Sequence, residues 1–219
     1  MGKPFPYRGH EVYFDQMIPT LPQWTLEPIA RYLELLDRWS GIHALTSLEK
    51  SDRFEELILD SAALLPFLDR LDAHSRVVDF GTGMGIPAVL VALARPDLDV
   101  VALDKSNKKI AFVRQAGLEL GLANLRPMAG RAEALAPLQA HAGVAKAVGT
   151  LDLLAGWWRR HGLPGAPFLA LKGPLAAEPR QAPAGFQLQA HPYRLPGRGE
   201  RTVVELIAGT QGDKRFISE

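Results

Sequence analysis

Two spacings of apolar residues alternate along this chain. Short, nearly continuous apolar runs stand at residues 77–80, 100–103, 125–128, 144–148 and 168–171, the pattern of strands buried on both faces. Between them apolar positions recur at helical spacing, over 86–94, 107–120 and 151–160. In 107–120, Ile110, Val113, Gly117 and Leu120 share one face while Lys109, Arg114 and Glu119 lie on others. Two more amphipathic helices precede the first strand. One starts at Thr25, read as an N-cap, and carries Leu26, Ile29, Leu33 and Leu36 as far as Trp39. The other carries Phe54, Leu57, Ile58, Ser61, Leu65 and Leu68, with a kink or break at Pro66. Beyond 171 the pattern becomes two strands, 186–191 and 202–208, joined by a loop that holds Pro196-Gly197. Residues 1–24 show no sustained period and read as an irregular arm with a short helix near 12–17. Strands alternating with helices predict an α/β fold: a doubly wound, mainly parallel sheet with an N-terminal helical cap and a C-terminal antiparallel hairpin. Residues 1–72 form the arm and cap in this reading, and 73–219 the core, in one compact unit.

The first strand ends in Asp79-Phe80-Gly81-Thr82-Gly83-Met84-Gly85 and runs into a helix. Glycine permits positive φ and lets a ligand approach backbone without meeting a Cβ, while the helix start offers unpaired N–H groups. A dinucleotide fingerprint needs glycine where Ile86 stands, and a P-loop needs Gly-Lys-Ser or Gly-Lys-Thr. The alternate spacing, with an acid two residues before the first glycine, looks instead like the S-adenosylmethionine loop of class I methyltransferases, which are Rossmann-like. Asp79 then receives the methionyl ammonium, directly or through water. One βα unit later the second strand ends in Asp104, about twenty residues on, where an acid can bond ribose hydroxyls; Lys105 and Ser106 follow it.

Composition narrows the chemistry. The 219 residues are 47% hydrophobic, ample for one sizeable core, and the net charge of +1 names no partner. Basic residues recur at Lys105, Lys108, Lys109, Arg131, Lys146, Lys172, Arg180, Arg194, Arg198 and Arg201, and a shared face would suit phosphates. There is no cysteine, which excludes disulfides, thiolate metal sites and a cysteine nucleophile. The six histidines lack metal-ligand spacing, so no metal is expected. The start, Met-Gly-Lys-Pro-Phe-Pro, lacks an apolar signal core, and no run is long enough to span a membrane. A cytoplasmic, monomeric protein is the expectation.

Over residues 29–208 the chain resembles the bacterial RsmG (GidB) family. The carriers are Leu36-Asp37-Arg38-Trp39, Leu45-Thr46, Ile58-Leu59-Asp60-Ser61, Asp79 through Pro87, Ala94-Arg95-Pro96, Leu103-Asp104-Lys105-Ser106, Leu169-Ala170-Leu171-Lys172-Gly173, and Leu195-Pro196-Gly197 with Arg201. The resemblance implies methyl transfer from S-adenosylmethionine to N7 of a guanine in 16S ribosomal RNA, with ribosomal RNA or the 30S particle as partner. It implies a cofactor site of Asp79, Gly81, Gly83, Ile86, Asp104, Lys105, Ser106, Ala132, Glu133 and Lys146. The family's Ser-Arg-Ala aligns with Ala145-Lys146-Ala147, so a lysine replaces an arginine and loses its planar fork. Further departures stand at Ala44, Glu56 and Leu57, where the family has asparagine and an arginine-histidine pair.

Guanine N7 carries a free lone pair, so its methylation needs no general base, and none is assigned. Alignment of nucleophile, methyl carbon and sulfur can do most of the work. Lys146 reads either as a contact to cofactor or base or as a surface lysine. Trp157 and Trp158 read as packing rather than base stacking, and Lys172 and Arg201 as RNA phosphate contacts. Two alternatives stay open: a divergent paralogue acting on another RNA or a small molecule, and a non-catalytic RNA- or protein-binding module that keeps the fold.

Overall fold

A computed structural model describes residues 5–7, 10–12, 21–43, 45–174 and 181–209. Two short strands, β1 (Phe5–Tyr7) and β2 (His10–Val12), pair antiparallel near the start. Val12 thus ends a strand; the rest of the helix expected near 12–17 lies outside the described residues, as do Ala44 and Arg180.

The cap begins with a 3-10 turn, Gln23–Thr25, and α1 (Leu26–His43). Thr25 is buried, and its hydroxyl donates to the Pro22 carbonyl (2.6 Å), closing that turn rather than standing as the cap residue the sequence suggested. The second cap helix is broken up: a π-helical stretch (Phe54–Leu59), α2 (Asp60–Ala62) and α3 (Leu65–Leu68). Pro66 sits at the start of α3, where a missing N–H costs nothing, so the break falls just before it.

The core follows the expected alternation: β3 (Arg76–Phe80), α4 (Ala88–Ala94), β4 (Asp99–Asp104), α5 (Asn107–Glu119), β5 (Leu125–Ala129), β6 (Ala142–Lys146), α6 (Leu151–His161), β7 (Pro167–Lys172), β8 (Phe186–Leu195) and β9 (Gly199–Ala208). The seven-stranded sheet has the order β5-β4-β3-β6-β7-β9-β8; β3 to β7 pair parallel, and β9 joins β7 and β8 antiparallel. Chain order reverses direction at β3, between β4 and β6, which places a ligand crevice at the carboxyl tip of β3. Strand β6 stops at Lys146, short of the expected 148, because Ala147 turns to φ 54°. The hairpin strands run past the expected 191 and start before 202, shrinking the loop to a turn at Pro196-Gly197-Arg198.

Strand alternation sends side chains to two apolar layers. Val77 and Val144 pack with the cap residues Ile29, Leu36 and Leu64 and with Val89 and Phe112, while Val78, Phe80 and Ala145 pack with Trp158 and Phe168. The cap therefore shares one continuous core with half of the sheet. Polar ties fix it further. The Tyr32 hydroxyl donates to the Met84 carbonyl of the glycine loop (2.9 Å), and the Arg95 guanidinium donates to the carbonyls of Leu68 (2.5 Å) and Leu71 (3.0 Å).

Candidate functional site

At the strand tips lies a cleft of about 490 Å³. Its walls come from the end of β3 and the next residue (Phe80, Gly81), the end of β4 and the next residue (Leu103, Asp104, Lys105), the segment after β5 (Gly130 to Glu133), the segment after β6 (Ala147 to Gly149) and α6 (Leu153, Trp157). Five predicted cofactor residues, Gly81, Asp104, Lys105, Ala132 and Glu133, line this one space.

Each is placed by local chemistry. Gly81 has φ +72°, and a Cβ there would come 2.6 Å from a Val148 methyl, so the loop's path needs a residue without one. Asp104 is nearly buried and its two carboxylate oxygens accept from the backbone N–H of Gly83 (3.0 Å) and of Ser106 (2.9 Å). These bonds tie the glycine loop to the next strand tip and aim the carboxylate along the cleft. Ser106 does not line the cleft; its hydroxyl caps α5 by accepting from the Lys109 N–H (3.4 Å). Gly83 lies beside the cleft with φ +59°, its amide spent on Asp104. Ile86 is buried in the layer that holds the cap, where it supports the loop from below.

Asp79 is fully buried on the cap side of the sheet. Its Oδ2 accepts from the Thr82 hydroxyl (2.5 Å) and the Ala88 N–H (3.1 Å), and its Oδ1 accepts no bond. Burial pushes this carboxyl up to about 7, the two donors oppose the rise, and the Asp104 charge adds to it. A buried carboxylate oxygen with unused acceptor capacity suits a cationic ligand group.

Lys146 lies outside the cleft lining. It points to the cap face and pairs with Asp60 of α2, whose Oδ1 accepts from the Tyr193 hydroxyl of β8 (2.6 Å). Asp60 and Tyr193 are buried, so cap, sheet and hairpin meet on one carboxylate. Burial first, and then Asp60, hold the Tyr193 hydroxyl protonated far above the ordinary phenol range, keeping it a donor. Lys172 donates to the Gly149 carbonyl on the cleft rim (3.1 Å). Arg201 pairs with Glu56 (3.3 Å), and Arg198 with Asp52 and Glu56. The acid at 56 thus faces the hairpin arginines.

Both tryptophans pack against the core as expected, but Trp157 has a second role that the packing reading missed. Trp158 is buried beneath the sheet, whereas Trp157, half-exposed, walls the cleft, lies nearly parallel to Phe80 and donates its indole N–H to Glu133 (2.8 Å). Its spacing from Leu153 was the available signal, since Leu153 lines the cleft as well.

A glycine loop, the strand-tip carboxylate of Asp104 and an acid after the third core strand line one cleft, with the buried Asp79 outside its lining, and on a seven-stranded sheet of this order they define a class I methyltransferase. The fold is similar to that of a solved SAM-dependent methyltransferase from Aquifex aeolicus (TM-score 0.56, 17% identity, covering 75% of this chain and 97% of that one). It is similar also to MtNAS solved in complex with S-adenosylmethionine (TM-score 0.57, 17% identity, 84% and 72% covered). Among curated proteins, the ribosomal RNA small subunit methyltransferase G of Stenotrophomonas maltophilia is 37% identical over 81% of this chain and 84% of its own length. That of Methylococcus capsulatus is 38% identical over 82% and 88%. Residues 25–199 match the family model GidB, rRNA small subunit methyltransferase G. The chain belongs to that family.

Proposed function

We propose that this protein transfers a methyl group from S-adenosylmethionine to N7 of a guanine in small-subunit ribosomal RNA. The observation that carries the reading is the convergence of Gly81, Asp104 and Ala132-Glu133 on one cleft beside a buried carboxylate with an unused oxygen. The residues fit the cofactor: a loop at Gly81 whose path against Val148 leaves no room for a Cβ, a carboxylate for ribose hydroxyls at Asp104, an acceptor for the adenine amine at Glu133 and, buried behind the cleft wall, an unused oxygen of Asp79 for the methionyl ammonium. When bound, the cofactor supplies an electrophilic methyl on a sulfonium. The protein's share is to hold the partners in line and keep water away, since N7 has no proton to lose. Glu133 stays ionised for its part, because the backbone N–H, then the Trp157 indole, hold its carboxyl below the usual range.

The RNA would approach over Lys105, Lys109, Arg131 and Lys172, which border or adjoin the cleft. Arg201 reaches phosphate only by exchanging Glu56 for it. We assign residues 1–72 to arm and cap and 73–219 to the catalytic core of a cytoplasmic monomer; among the described residues no helix is long and apolar enough to cross a membrane. The test is tritium transfer from labelled cofactor to 30S particles from a strain lacking its own copy, followed by mass spectrometry of the nucleosides. Labelled 7-methylguanosine is expected; no incorporation into small-subunit RNA overturns the reading.

A further inference from the structure

Glu133 is exposed and stands on a 3-10 turn (Ala132–Ala134), a single turn that by itself leaves a long side chain free to rotate. The structure fixes it from across the cleft. Trp157 of α6 donates its indole N–H to Oε1 (2.8 Å), and the indole is in turn held against Phe80, centroids 6.0 Å apart and planes 22° apart. Phe80 is itself fully buried and packs against Trp158, His161 and Phe168. Beneath the turn, the His161 Nε2 bonds the Ala132 carbonyl (2.8 Å), so the same helix grips both residues of the pair. Together with the backbone N–H of Glu133 itself, the indole takes up part of the acceptor capacity of Glu133, and the remainder is left for whatever enters the cleft.

We propose that Trp157 is a positioning residue that sets Glu133 to select an amino-purine over an oxo-purine in the nucleoside cofactor. The inference rests on the S-adenosylmethionine reading and goes beyond it, by assigning base discrimination to a helix residue that does not itself bond the base edge. The chemistry is a matter of sign. A carboxylate only accepts, so it attracts the adenine amine and repels the carbonyl oxygen that stands in its place in hypoxanthine. A carboxylate free to swing into solvent would escape that repulsion and discriminate little. The indole N–H holds it in place, and a donor without acceptor capacity cannot itself satisfy the adenine amine.

The experiment is calorimetric titration of the full chain with S-adenosylhomocysteine and with S-inosylhomocysteine, in which a carbonyl oxygen replaces the adenine amine. Wild type is expected to prefer the adenine compound by roughly thirtyfold or more, from a hydrogen bond to a charged group lost and an acceptor opposed. Trp157→Phe keeps a ring against Phe80 but removes the N–H, and should cut that preference at least fivefold while weakening S-adenosylhomocysteine much less. Glu133→Gln, whose amide can donate to the carbonyl, should bring the ratio near one. An unchanged ratio in folded Trp157→Phe overturns the proposal. Should that variant fail to fold, Trp157→Leu keeps an apolar side chain against Phe80 and removes the donor: a preference cut at least fivefold supports the proposal and an unchanged one overturns it. If wild type binds neither compound, it is the cofactor reading that fails.

Discussion

The proposed role of Asp79 as acceptor for the methionyl ammonium makes cofactor binding depend on pH with a definite sign. Its carboxyl sits near 7 chiefly because burial disfavours its charge. Binding an ammonium needs the carboxylate, so below about 7 each pH unit should cost tenfold in affinity. Between pH 7.5 and 5.5 the dissociation constant of S-adenosylhomocysteine should therefore rise roughly 25-fold, with the ligand's own amine remaining largely charged throughout. The Glu133 carboxyl, held below its usual range, stays ionised across that window and adds no slope. Calorimetry at several pH values, in two buffers of different ionisation enthalpy, reads both the affinity and the proton released on binding. Asp79→Asn should bind more weakly and lose the pH slope. Stability carries the same linkage with its own sign. A folded-state pKa raised above the unfolded one stabilises fully below the unfolded value, and that contribution is lost as pH rises through about 7. The linkage amounts to roughly 4 kcal/mol by pH 8, and Asp79→Asn should remove it, melting with less pH dependence between 4 and 8. A wild-type affinity flat from 5.5 to 7.5, or an equal slope in Asp79→Asn, would refute this account.

Other consequences can be measured as directly. Gly81→Ala places a methyl 2.6 Å from Val148 at φ +72°; it should lower stability by about 1–2 kcal/mol for the left-handed backbone and abolish cofactor binding, and full binding would show the cradle to be unneeded. Lys146→Met leaves the buried Asp60 without its cation; a loss of about 3–5 kcal/mol is expected, a fall in melting temperature of roughly 6–20 °C. The double variant Asp60→Asn/Lys146→Met should recover most of it, and a single variant that melts like wild type would mean the pair does not hold the cap. Glu56→Gln releases Arg201 while Arg198 keeps Asp52; binding to small-subunit RNA should tighten at low salt and the log–log salt slope steepen by about 0.9 for each phosphate gained. An unchanged slope would place Arg201 away from RNA.

The alternation of buried strands and amphipathic helices made the sheet and its layers legible in the sequence, because burial on both faces leaves short continuous apolar runs whose length sets them apart from the helices between them. The glycine spacing with acids at 79 and 104 marked the strand tip, since backbone that must take positive φ beside a ligand admits few other residues. Ala132 and Glu133, which line the cleft, came from the family resemblance and not from local pattern. What local pattern could not supply were contacts between residues far apart in the chain. Lys146 reads the same along the sequence whether it meets ligand or partner; only packing of cap and hairpin gave it Asp60 and Tyr193. Trp157 and Trp158 are neighbours of one type, yet a helix turns successive side chains by about 100°, so one enters the core and the other faces Glu133 across the cleft. Glu56 stands out in the sequence only as a lost basic residue, and in three dimensions it neutralises Arg201. The sequence by itself determined the elements and the cofactor-side loop, whose demands are local. The tertiary structure alone decided which charges are already paired, because a charge's partner is set by what folds against it.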